Sequence, residues 1–181
     1  MYDKDDIQSV KSRIEEIRHD HKDKLVAIAE LLDNSKDWGE AEEIIVDLKE
    51  DKISIIDDGE GINLRRLKRV LKFGKRNSKL TAGKIGRFGL GLNKGSIIVA
   101  NKVSVYTFCE DNDDEYYKTF ANWSVMSEQN EYKPTTSIMS KSEIKLFKEE
   151  LENSCGTIVC LENLHQTIDN LTFIEIKNYC K

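Results

Sequence analysis

Glu30 and Asn34 lie four residues apart in Glu30-Leu31-Leu32-Asp33-Asn34-Ser35. On a helix this spacing sets a carboxylate and a carboxamide one turn apart on the same face. A carboxylate held there can take a proton from water. An amide oxygen suits magnesium, which prefers octahedral oxygen ligands and keeps several waters. Farther along, Asp57 closes an apolar run and is followed by Gly59, Gly61 and Ile62. A fixed carboxylate can accept from an exocyclic amino group such as N6 of adenine. The two glycines let backbone approach a base and ribose without a Cβ in the way. A third segment, Gly86-Arg87-Phe88-Gly89-Leu90-Gly91, leads into an apolar stretch. It can turn successive backbone N–H groups and a helix N-terminus toward phosphates. Lys94 follows within about a turn and offers a point charge. A base, a magnesium ligand, an acceptor for an amino group and a phosphate wrap are the parts of an ATP site.

The elements that must position these groups are legible from hydrophobic spacing. Ile7, Val10, Ile14 and Ile17 predict an amphipathic helix over residues 1–21, and Leu25, Ile28, Ala29 and Leu32 a second over 22–34. Glu30 and Asn34 fall at the edge of that second apolar stripe. Strands are expected at 43–48 and 52–56, and Asn63 is expected to cap a helix carrying Leu64, Leu67, Val70 and Leu71. Residues 74–89 are polar, basic and glycine-punctuated, and read as a lid over the site. A helix at 90–100, strands at 102–110, 116–125 and 156–161, and a helix from 171 complete the order. The stretch around Pro134 reads as polar connection, and Ser140-Lys141-Ser142-Glu143 as a capping box opening a helix to about residue 153. This order predicts an α/β fold, a two-layer sandwich with a mixed sheet and helices on one face.

Length and charge narrow the field. The chain has 181 residues, enough for one domain, 1–181, with a single core. Its charged start is unlike a signal peptide, and no run approaches the roughly 20 apolar residues of a membrane span. Cys109, Cys155, Cys160 and Cys180 form no Cys-x-x-Cys pair, so reduced thiols in an intracellular protein, cytoplasmic or nuclear, are expected. Between residues 63 and 94 there is no acid and there are eleven Lys or Arg, which leaves −16 for the remainder of a chain whose net charge is −5. That window suits a polyanion, triphosphate first and weak DNA contact second. The glycine spacing at 86–91 departs from Gly-x-Gly-x-x-Gly and no short βαβ unit surrounds it, which argues against a dinucleotide site. No Gly-Lys-Ser/Thr ending marks a P-loop.

The three segments in this order resemble the boxes of the GHKL superfamily (Bergerat fold), which includes gyrase B subunits, MutL, the large heat-shock chaperone and histidine-kinase catalytic domains. The resemblance spans about 22–164. It implies Glu30 as general base, Asn34 as magnesium ligand, Asp57 with Gly59, Gly61 and Ile62 at adenine, and Gly86, Arg87, Phe88, Gly89, Leu90, Gly91 and Lys94 at the phosphates. Gly156-Thr157 is similar to the late Gly-Thr strand of the family, whose threonine supports the adenine-binding aspartate. The run from Asp57 to Gly74 and the segment from Ile85 to Ser96 are similar to the MORC group. The lid and the Asn101-Lys-Val-Ser-Val strand also resemble the chaperone. By resemblance the chain binds Mg-ATP, hydrolyses it slowly, and closes its lid into a homodimer. A nucleotide-gated interaction module and a histidine or serine kinase stay as alternatives. The second, transducer domain of such relatives has no counterpart here, so a fragment of a longer protein is expected.

Overall fold

The computed structural model describes residues 9–19, 24–72, 91–152 and 155–165, with backbone alone at 37–39. Two helices come first, α1 (Val10–His19) and α2 (Lys24–Gly39), followed by the hairpin β1 (Ile44–Lys49) and β2 (Lys52–Asp57). Then come α3 (Leu64–Val70), α4 (Gly91–Val99), β3 (Ala100–Phe108) and a 3-10 turn at Glu110–Asn112. The described chain closes with β4 (Tyr117–Asn122), α5 (Trp123–Gln129), β5 (Thr135–Ile138), α6 (Lys141–Leu151) and β6 (Gly156–Leu164).

The six strands form one sheet in the order β1-β2-β6-β3-β4-β5. The α/β sandwich expected from the sequence is present, but the sheet is antiparallel at every one of its five pairings rather than mixed. Strand alternation sends Ile53, Ile55, Val103, Val105, Val159 and Leu161 to one face. There they form the main core with Ala27, Ile28 and Leu31 of α2, Leu67 and Val70 of α3, and Ile97 and Ile98 of α4. The neighbouring residues Ile56, Ile158 and Cys160 point the other way and meet Phe147 and Leu151 of α6 in a second cluster. Helices therefore cover both faces of the sheet, α6 being the one described helix on the second. This explains why five successive residues of β2, from Ile53 to Asp57, are buried instead of alternating.

Local signals placed the helix starts well. Asn63 accepts from the N–H of Arg66 and caps α3. Ser140 and Glu143 form a reciprocal capping box on α6. α2 runs five residues beyond 34, so Asn34 and Ser35 sit inside it and not at its end. The stretch containing Pro134 leads into an edge strand, β5, and Trp123 begins a short helix, where it is fully buried and stacked on Tyr132. The helix expected from 171 lies outside the described residues. Among the described residues no helix is long and apolar enough to cross a membrane.

Candidate functional site

Asp57 ends β2 beside the first residues of β6, and it is 3% exposed. Ser35, a turn beyond the mid-point of α2, donates its hydroxyl to Asp57 Oδ2 at 2.7 Å. The backbone N–H of Gly59 donates to Oδ1 at 3.3 Å, and the N–H of Thr157 also supports the carboxylate. Burial outweighs these donors and, with the charge of Asp58 adding to it, raises the Asp57 carboxyl from 3.8 to about 6. The next residue, Asp58, turns outward and accepts from the N–H groups of Glu42 and Glu43, both at 2.9 Å, which fastens the turn to the start of β1.

The chain after Asp57 folds as a tight backbone turn against the end of β3. Gly61 has φ +72°, and a Cβ there would lie 2.0 Å from the carbonyl oxygen of Phe108, so glycine is required twice over. Thr107 and Asn112 hold the turn from below. The Ile62 N–H donates to Thr107 Oγ1 at 2.7 Å. Asn112 donates to the Ile62 carbonyl at 3.2 Å and accepts from the Leu64 N–H at 2.9 Å. Gly156 is pressed against the Asp57 carbonyl, where a Cβ would sit 2.2 Å away.

Glu30 and Asn34 are both half-buried on α2, at the rim of the face that packs on the core. The first residue of α4, Gly91, abuts Asn34: a Cβ at 91 would be 3.2 Å from Asn34 Nδ2. That Nδ2 is buried without a hydrogen-bond partner. Lys94 lies in the first turn of α4, half-buried. Asn93 beside it is buried and donates to the carbonyl of Leu71 at 2.7 Å, which fastens the end of α3 to the start of α4.

Of the residues singled out in the sequence, Asp57, Gly59, Gly61, Ile62 and Thr157 come together at one end of the sheet. Asn34 and Gly91 meet where α2 faces α4, and Glu30 lies one turn before Asn34 on α2. Gly86, Arg87, Phe88, Gly89 and Leu90, with the lid 74–89, lie outside the described residues. Ser35, Thr107 and Asn112 were not singled out for roles. The register that opposes Thr107 to Thr157 joins residues fifty apart in sequence, and no local spacing announces it.

Residues 23–157 match the family of histidine kinase-, DNA gyrase B-, and HSP90-like ATPases. The chain belongs to this family. Curated proteins gave no match. Membership makes this an ATPase-type nucleotide-binding domain, and the fold agrees with it. The residues also fit such a ligand. A buried carboxylate supplies an acceptor, and the Asn34 carboxamide has one end unused by the protein. That end can donate to a phosphate oxygen or, with the amide turned by 180°, offer its oxygen to magnesium. Among the described residues no cluster of three His, Cys, Asp or Glu could cage a metal alone. Magnesium would therefore share Asn34 with phosphate oxygens and water, as it commonly does.

Proposed function

We propose that this domain binds Mg-ATP between α2, the turn after β2 and the N-terminus of α4, and hydrolyses it slowly. The observation that carries the reading is Asp57, a buried carboxylate held by Ser35, Gly59 and Thr157 next to the turn that bears Gly59 and Gly61. In this reading Asp57 accepts from the adenine amino group, and Gly59, Gly61 and Ile62 pass along the base. Glu30 orients the attacking water and takes its proton. Asn34 would hold magnesium, which when bound offsets phosphate charge. The segment 86–91 and Lys94 face the phosphates. Phosphate binding by that segment closes the lid at 74–89 and favours a homodimer, in the manner of MORC or chaperone relatives. Arg65, Arg66, Lys68 and Arg69 are exposed on α3, and their contact with DNA is weak and salt-sensitive.

Titration calorimetry with ATP, ADP and a non-hydrolysable analogue, alongside phosphate release, tests the reading. Glu30→Gln is expected to leave ATP affinity within a few-fold and cut turnover by roughly 10²–10⁴. A Glu30→Gln protein that hydrolyses ATP at the parent rate removes Glu30 from the role of base. Asn34→Ala is expected to lose the magnesium-dependent part of the affinity.

A further inference from the structure

Two cysteines stand where the β3–β6 pairing ends. Phe108 and Gly156 are the last residues in register, and one step further the same register sets Cys109 opposite Cys155. Alternation from Val105 and from Val159, both in the main core, sends the two side chains to one face of the sheet. Directly opposed residues of an antiparallel pair have Cα atoms about 4.5–5.5 Å apart, inside the roughly 4.4–6.8 Å that a disulfide spans.

Hydrogen bonds draw the two sulfurs together independently of the register. The 3-10 turn at Glu110–Asn112 follows Cys109 directly. The Cys109 sulfur accepts from the N–H of Asp111, and the Cys155 sulfur accepts from the N–H of Glu110. Neighbouring donors of one tight turn therefore hold both. The pair is close enough for charge on Cys155 to raise the Cys109 thiol. Both are free thiols, Cys109 buried and Cys155 half-buried. Cys160 is no rival, because it points to the opposite face and packs with Phe147.

We propose that Cys109 and Cys155 form a reversible disulfide site, closed by exchange with a low-molecular-weight disulfide. Cys155, the more exposed, gives its proton to water and attacks one sulfur of the reagent. The reagent's S–S bond breaks, a mixed disulfide forms on Cys155, and one small thiolate leaves and takes up a proton. Cys109 then gives up its own proton and attacks the Cys155 sulfur, and the second small thiolate leaves and is protonated. The protein's two thiols are oxidised to one disulfide, and the reagent is reduced to two thiols. Burial raises both protein thiols, so the exchange quickens as pH rises through the neutral range. The closed bond ties off the loop that carries β4, α5, β5 and α6. It also braces the turn after β2, since a Cβ at Gly61 would lie 3.1 Å from Cys109 Cβ. The site stands apart from the nucleotide reading, because neither cysteine is asked to touch nucleotide.

The test incubates the reduced 181-residue chain with oxidised glutathione, alkylates the remaining thiols under native conditions and then after unfolding, and maps the digest by tandem mass spectrometry. The parent is expected to lose two alkylatable thiols, with Cys109 joined to Cys155, and to regain both on treatment with dithiothreitol. Cys180→Ser should form the same link. Cys155→Ser should form none and should leave Cys109 free to alkylate once unfolded. The urea midpoint of the parent should rise on oxidation, because the cross-link restricts the unfolded chain, and that of Cys155→Ser should not move. Cys109 and Cys155 both alkylating after oxidation would overturn the inference. So would glutathione retained on Cys155, or a bond from either cysteine to Cys160 or Cys180.

Discussion

Asp57 is the residue at which burial and function pull against each other. Its carboxyl sits near 6, raised mainly by desolvation. The folded chain thus binds this proton more tightly than the unfolded chain. The stability linked to it is present below about pH 4 and is lost as pH rises to about 6, beyond which it changes no further. A rise from 3.8 to about 6 corresponds to about 3 kcal/mol. Asp57→Asn is expected to flatten this component, read as the difference between parent and variant in urea unfolding between pH 4 and 7. The same variant should lose most ATP binding, since one acceptor oxygen becomes a donor. Parent affinity should itself weaken below pH 6, as the protonated carboxyl turns into a donor. Identical pH profiles for parent and variant would show that Asp57 is not the group titrating. Much at this scale was legible in advance. A carboxylate before two glycines, and a carboxamide one turn after a glutamate, announce themselves by local spacing. Thr107 and Asn112 gave no such sign, because their value comes from strands that meet only in the folded chain.

Among the elements, the packing of α4 on α2 sets the distance between Gly91 and Lys94, proposed to face phosphates, and Glu30, proposed as the base. Gly95 makes that contact close: a Cβ there would lie 3.2 Å from both the Ala27 carbonyl and Leu31 Cδ2. Gly95→Val is expected to push the two helices apart and cost about 1–3 kcal/mol by overpacking. Because Gly91 rides on the same helix and abuts Asn34, ATP affinity should fall as well, more than for an equally destabilising change in α6. Urea midpoints and calorimetry on the two variants separate these effects. Helix starts were readable here because caps are local chemistry, as at Asn63 and Ser140. The face that α6 covers was not readable. Its apolar residues Phe147 and Leu151 define a stripe, but a stripe does not say which side of a sheet it will meet. Strand direction was hidden for a similar reason, since alternation has the same period whichever way a strand runs.

For the whole molecule, the decisive feature is the place of β6 between β2 and β3. Leu161 at its centre is fully buried in the main core with Ile53 and Val103, its register partners on the two sides. Leu161→Ala is expected to cost about 2–5 kcal/mol, chiefly through the cavity it leaves. The denaturant midpoint should fall with little change in slope. A loss below ~1 kcal/mol would mean that the two halves of the sheet close over the gap. The charge asymmetry seen in the sequence also has a structural address. Its described members lie on α3, where Arg65, Arg66, Lys68 and Arg69 are exposed, and at Lys94 and Lys72 around the start of α4 and the end of α3.

The central strand is also the last described one in chain order. A ribosome that has released β1 through β5 has produced the hairpin β1–β2 and the meander β3–β4–β5, with no strand yet between them. Thr157 and the partner edge for Asp57 arrive only with β6. In the proposed reading, nucleotide can therefore reward folding only once β6 has emerged, and until then the edges of β2 and β3 that it fills stay unpaired. Nascent chains stalled before residue 156 should be protease-sensitive with or without ATP, whereas chains released beyond residue 165 should gain protection from it.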